Sequence, residues 1–256
     1  MSSYKFEGVV IKVRNFSEAD KIITFFTREF GKRDLVAKGV KKIKSRKSPF
    51  LDLGSINKIF AAETKGLDII SEVENIYLPK KISGDLGRTY CLSFVLEVTN
   101  KLFQEEEDHR YIYKLLKETI RLIDKRVAES IRLIFVLKIL DHNGYLGDLK
   151  ECSVCGGDLR KNELFSFSKI DGDISHRKCH NELCLDLSDD ELKLLKSWVK
   201  LPIGQAVKIK APKKIMKKIE DLAIAYWEIN VGYDIKSEKG FTDVIMGRNK
   251  SKSVPK

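Results

Sequence analysis

At Pro79 the hydrophobic period of this chain changes from about two residues to about 3.6, so strand-forming sequence gives way to helix-forming sequence at one point. Before Pro79, the segments Tyr4–Val13, Asp20–Thr27, Lys32–Lys38, Ser55–Ala62 and Leu67–Tyr77 are rich in β-branched and aromatic residues. Asn15, Gly31, the polar stretch from Gly39 to Ser48 with the following Pro49, and the Lys65-Gly66 pair separate them as turn signals. Five short strands with one long loop predict a small Greek-key barrel of the OB type, although a small sandwich has the same strand count.

After Pro79, Leu86, Tyr90, Phe94, Val98 and Leu102 recur every four residues, and Leu92, Val95 and Leu96 widen the stripe until the helix is apolar nearly all round, which predicts burial. Two amphipathic helices follow over Arg110–Asp124 and Ala128–Asn143. Ser188 begins another, with Asp189, Asp190 and Glu191 at the positive end of its dipole, and a last helix is expected from Pro212 to Tyr233. The expected class is α+β. A barrel domain occupies residues 1–79, a helical domain 80–238 with a zinc-binding region inserted at 148–187, and a loose basic tail 239–256.

The 256 residues carry 48 Lys plus Arg against 37 Asp plus Glu, a net charge of +11. Such an excess favours polyanionic partners. Met1 to Gly8 lacks the basic and apolar regions of a signal peptide, and the apolar run Ile131–Leu140 is interrupted by Arg132 and Lys138, so a cytoplasmic chain without membrane contact is expected.

The densest cationic stretch runs from Lys38 to Lys47, where Lys38, Lys41, Lys42, Lys44, Arg46 and Lys47 make six of ten residues and none is acidic. On a barrel loop these side chains would reach successive phosphates, and Phe25, Phe26 and Phe30 lie close by in sequence, each better suited to a core than to a stacking platform. Lys208, Lys210, Lys213, Lys214, Lys217 and Lys218 form a second cluster at the start of the last helix, a pattern more typical of a solvated face.

Four of the five cysteines fall between Cys152 and Cys184. In a reducing compartment that clustering points to metal, and the fifth, Cys91, reads as a small apolar core residue. Cys152-Ser153-Val154-Cys155 followed by Gly156-Gly157 is a two-thiolate knuckle. In the return half, Cys179 offers a third thiolate, with His176 and Cys184 competing for the fourth position and His180 an outsider. One structural zinc is expected, since a closed set of four ligands keeps no place for a reacting water. Phosphate-binding, dinucleotide-binding and hydrolase motifs are missing, His109 and His142 read as surface or helix-end residues, and the contiguous Glu105–Asp108 reads as a solvated linker, so no catalytic residue is assigned.

The strings Glu7–Ile11, Ser17–Lys21, Phe26–Lys32 and Ala37–Arg46, in that order and spacing, resemble the amino-terminal barrel of the RecO family of bacterial recombination mediators. Leu140–Tyr145 running into Cys152–Gly156 is similar to that family's approach to its zinc knuckle. The family pattern closes with a second Cys-x-x-Cys after a glycine pair; here Asp173 replaces the second glycine and His176 the cysteine, which leaves the fourth ligand open. The resemblance implies a non-enzymatic mediator. Such a protein binds single- and double-stranded DNA, anneals complementary strands, holds the acidic tail of single-strand-binding protein and works with RecR to load RecA. A zinc-bearing OB-fold module that binds RNA, and a metal-dependent nucleic-acid enzyme, are the rival expectations.

Overall fold

The computed structural model describes residues 2–103, 109–126, 130–147, 149–159, 164–168, 172–179 and 184–230, which form two compact units, one up to Arg126 and one from Ser130 onward. In the first, β1 (Ser3–Asn15), β2 (Lys21–Thr27), β3 (Lys32–Ala37), β4 (Ile56–Ala62) and β5 (Ile69–Tyr77) close a barrel in the order β1-β2-β3-β5-β4. Closure comes from β4, which pairs antiparallel with both β1 and β5, and from the parallel meeting of β3 and β5 at Val36 opposite Ile69. This removes the sandwich alternative. The pairing of β1 with β2 shifts register between Val10 and Lys12, a bulge at the point where the strand turns from one neighbour toward the other.

Alternation along the strands turns Phe6, Val10, Ile23, Phe25, Leu35, Ile59 and Ile70 into one fully enclosed core. Gly8 sits close beside it: a Cβ there would lie 3.1 Å from the Cβ of Phe25, tight enough that the ring would have to shift. Phe26, one residue on from Phe25, takes the opposite face of β2 and packs against Phe103 and His109. His109 is therefore buried at the start of a helix, with its ring stacked on Phe26.

Two helices complete this unit. α1 (Leu86–Leu102) begins at Asp85, whose carboxylate accepts from the Arg88 amide at 3.0 Å, and buries Cys91, Leu92, Phe94, Val95, Leu96 and Val98. α2 (Arg110–Lys125) is fixed to the strands by polar ties: Tyr113 donates to the Glu7 carboxylate at 2.9 Å, and the hydroxyl of Tyr77 donates to Asp124 at 2.7 Å.

In the second unit α3 (Ser130–His142) is buried from Ser130 to Leu140. The two cations that interrupt its apolar run meet partners inside: Arg132 pairs with Glu220, and the Lys138 ammonium donates to the carbonyl of Val199 at 2.7 Å and to that of Leu201. Three short strands follow, β6 (Phe165–Ser168), β7 (Ile174–His176) and β8 (Cys184–Leu187), in the order β7-β6-β8. Then come α4 (Asp189–Lys200), the short α5 (Ile203–Ala206) and α6 (Lys213–Asn230). The carbonyls held by Lys138 are those at the end of α4, where a cation complements the helix dipole.

The small sheet and α5 were not legible as periodic patterns, because segments of three or four residues are too short to display one. The expected basic tail, the carboxylates of Glu105–Asp108 and the outlying His180 lie outside the described residues. α4 begins with a full capping box, in which Ser188 accepts from the Glu191 amide at 3.3 Å and Glu191 accepts from the Ser188 amide at 2.8 Å. Ser188→Ala should lower stability by about 1 kcal/mol in urea denaturation, and Ser188→Asp should restore most of it.

Candidate nucleic-acid interface and metal centre

The cationic loop leaves β3 at Ala37 and is held in place at several points. Gly39 has a φ of 65°, which a side chain would strain, and its N–H donates to the Asp20 carboxylate at 2.7 Å. That bond, together with the Ser17 contact and the charges of Lys38 and Lys42, keeps the Asp20 carboxyl below its usual range. Val40 drops its side chain into the barrel core, and the Lys41 N–H donates to the Ala19 carbonyl at 3.0 Å. At the far end, the buried Ser55 and Asn57 side chains both donate to the Phe50 carbonyl at 2.7 Å.

On this frame Lys38, Lys41, Lys42, Lys44 and Arg46 are all exposed. Lys47 differs: it is half-buried, its ammonium donates to the Ile70 carbonyl at 2.8 Å, and burial pulls its pKa down. Phe25 and Phe26 are core residues, and Phe30 is 37% exposed with the Arg33 guanidinium 5.4 Å from its ring centre. Sequence reasoning missed Asp20, the carboxylate that ties the basic loop to the β1–β2 connection; a lone Asp before a strand gives no signal of such a task.

The second basic cluster has different surroundings. Lys217 pairs with Asp221 at 2.9 Å and Glu220 at 3.5 Å, and Lys218 pairs with Glu191 at 2.7 Å. Lys208, Lys210, Lys213 and Lys214 are exposed.

The side chains that could ligate a metal meet in the second unit. Cys152 and Cys155 sit on a tight turn closed by the Gly156 N–H to the Cys152 carbonyl at 2.9 Å and the Cys152 N–H to the Gly157 carbonyl at 2.8 Å. Gly156 makes that turn at a φ of 69°. His176 ends β7 and Cys179 ends the 3-10 turn that follows, Arg177–Cys179. The ligand atoms of Cys152, Cys155, His176 and Cys179 all lie within 4.8 Å of one another.

This set fits a tetrahedral ion. With Zn–S of about 2.3 Å and Zn–N of about 2.0–2.1 Å, the edges of such a site are about 3.6 Å from N to S and about 3.8 Å from S to S. His176 Nδ1 stands 3.4 Å from the Cys155 sulfur and 3.9 Å from that of Cys179. Its Nε2 is 3.0 Å from the Asp158 carbonyl, which fixes the proton on Nε2 and leaves the Nδ1 lone pair facing the sulfurs. Cys184 is outside the group; it opens β8 opposite Ser168. Of the two candidates for the fourth position, His176 is the one whose ligand atom lies within 4.8 Å of the three cysteine sulfurs.

The environment of the thiols is uneven. Burial raises the Cys152 thiol, but amide hydrogen bonds from Cys155, His176 and Val154 outweigh it and bring its pKa down to about 6. Burial and the neighbouring Cys155 and Cys152 push the Cys179 thiol up to about 11. The Asp158 carbonyl raises the pKa of His176. Protons and a cation compete for this cluster.

A closed five-stranded barrel bearing a pinned cationic loop, followed by helices that carry a cluster of three cysteines and one histidine, defines a two-part α+β protein with a possible metal site. Residues 1–78 match the family described as Recombination protein O N terminal, and residues 83–239 match Recombination protein O C terminal. The chain is 27% identical over 239 residues to the DNA repair protein RecO of Desulforamulus reducens, covering 93% of each chain. It is 29% identical over 247 residues to that of Caldanaerobacter subterraneus, covering 93% of this chain and 97% of the relative. Against the DNA repair protein RecO of Halalkalibacterium halodurans the identity is 32% over 153 residues, 59% of this chain and 60% of the relative. The chain belongs to the RecO family of DNA repair proteins. Among the described residues no helix is long and apolar enough to cross a membrane.

Proposed function

We propose that this protein is a non-catalytic, cytoplasmic mediator of recombinational repair that binds single- and double-stranded DNA and anneals complementary strands. The observation that carries the reading is the basic loop: five exposed cations, Lys38, Lys41, Lys42, Lys44 and Arg46, on a backbone pinned to the mouth of a closed barrel. Counterion release on contact with phosphates supplies affinity without regard to sequence, which a protein acting on any broken strand requires. Neutralising two backbones at once lowers their repulsion and lets base pairing finish the work. Lys47 serves as the anchor of the loop in this reading, through its bond to Ile70.

The cluster of Cys152, Cys155, His176 and Cys179 holds one zinc as a structural element. Soft thiolates with an imidazole suit that ion, and four protein donors close its coordination. The division of labour follows residues 1–79 as the DNA-binding barrel, 80–238 as the helical and zinc-bearing part, and 239–256 as a basic tail. Partners expected from the family are RecR, the acidic tail of single-strand-binding protein and, through them, RecA, with activity near the nucleoid.

The test is annealing of complementary oligonucleotides by the full chain. The rate should rise well above the spontaneous one without any nucleotide, and acceleration only in the presence of hydrolysable ATP would overturn a passive mediator. Tighter binding of RNA than of single-stranded DNA at one salt concentration would favour an RNA-binding module instead.

A further inference from the structure

Two large apolar side chains stand in water at the cationic end of the barrel. Ile43, in the basic loop, has a relative exposure of 104%, and Phe16, in the β1–β2 connection, one of 57%. Single exposed apolar residues are ordinary. These two, however, occupy loops hydrogen-bonded to each other, through Gly39 to Asp20 at 2.7 Å, the Lys41 amide to Ala19 at 3.0 Å and the Lys41 ammonium to Ser17 at 2.7 Å.

Ile43 is also presented on a fixed turn. The Lys42 N–H donates to Gly39 at 3.1 Å and the Ser45 N–H donates to Lys42 at 2.9 Å, so the backbone is closed on either side of it. Lys41, Lys42, Lys44 and Arg46 surround it in sequence and are exposed. The barrel gains no burial from Ile43, so folding does not account for an apolar residue there.

We propose that Phe16 and Ile43 receive unstacked bases of a single strand whose phosphates lie on Lys41, Lys42, Lys44 and Arg46. The inference rests on the reading of this loop as a nucleic-acid contact and adds a source of affinity that charge does not supply. Apolar groups ringed by cations call for a partner that alternates anionic and apolar surface, and a single strand does so at every nucleotide. An aromatic ring stacks on any base, and a branched aliphatic side chain wedges between base steps. Peripheral membrane binding uses a broad apolar face such as an amphipathic helix, whereas Phe16 and Ile43 project singly from loops. In a duplex the bases are already stacked, so this contribution is confined to single strands and leaves their pairing edges open.

The experiment compares binding of the full chain to an oligothymidylate and to an abasic strand of equal length, across a salt series. Wild type should prefer the strand with bases by roughly ten-fold, and Phe16→Ala/Ile43→Ala should bind both alike while keeping the wild-type salt slope. Phe16→Trp should keep the preference, with tryptophan emission quenched by the oligothymidylate and not by the abasic strand. Equal binding by wild type, or a double alanine variant that still prefers bases, would overturn the inference. If Lys41→Ala/Lys42→Ala/Lys44→Ala leaves the slope unchanged, the reading of the loop fails and takes this inference with it. If that slope falls while the base preference survives in the Phe16 and Ile43 variant, only this inference fails. Capture by phosphatidylglycerol vesicles that is lost in the double variant, with oligonucleotide binding intact, would assign the two side chains to lipid and overturn it as well.

Discussion

Cys152→Ser should abolish stoichiometric zinc binding and unfold the short sheet of the second unit, seen as loss of metal on elemental analysis and as an early transition in urea. Cys152 is buried, its sulfur accepts the His176 amide at 3.4 Å, and its turn places Cys155 against His176, so one substitution removes a ligand and the bond that aligns another. A structural zinc contributes about 10–16 kcal/mol in small zinc-folded peptides, as much as the whole stability of a typical domain. The strands have only three or four residues, so the ladder is short and the metal would add to the packing of the buried Phe165 and Phe167, the latter against Tyr226. His176→Ala should have a similar effect and His176→Cys should preserve zinc, since both imidazole and thiolate are suitable donors. Cys184→Ser should retain the metal; the opposite pattern, with Cys184 essential and His176 dispensable, would refute His176 as the fourth ligand. Affinity should rise with pH across the neutral range, because the ion must displace the proton of Cys179, whose thiol is raised to about 11, and that of His176, whose pKa is also raised.

The triple substitution Lys41→Ala/Lys42→Ala/Lys44→Ala should lower the slope of log affinity against log salt by about 2 on single strands, at about 0.7 per lost phosphate contact. At 0.1 M salt that corresponds to about 100-fold weaker binding, much the same for every sequence, because phosphate contacts carry no base information. Lys213→Ala/Lys214→Ala/Lys217→Ala is the comparison. Lys217 is already engaged by Asp221 and Glu220, so that helix face should contribute less to the slope. A loop variant with wild-type affinity and slope, beside a helix variant that loses both, would move the interface from the barrel to α6. Lys47→Ala should act differently from its neighbours and change stability more than the slope, since Lys47 is half-buried as well as bonded to the Ile70 carbonyl, whereas Lys41, which bonds to Ser17, stays exposed.

Much of this was legible along the chain. The period of two placed all five barrel strands, the period of 3.6 placed the long helices, and charge density marked the loop from Lys38 to Lys47. Cysteine spacing brought Cys152, Cys155 and Cys179 to one centre. These are properties of near neighbours, set by backbone geometry and local composition, and the linear order records them directly.

The remainder was decided by residues far apart in sequence. The end of β7, opposite Phe165, brings His176 beside Cys152, Cys155 and Cys179, whereas Cys184, at the start of β8, is not in that group. Arg132 and Lys138, which interrupt an apolar run, are buried where Glu220 and the last carbonyls of α4 meet them. Spacing offered two ways to close a tetrahedron and could not show which side chain stands beside the three thiols; the fold brings His176 there. Residue type and spacing state which groups are able to bind a metal or a phosphate, but the chain must first fold for the partners that orient or neutralise those groups to arrive.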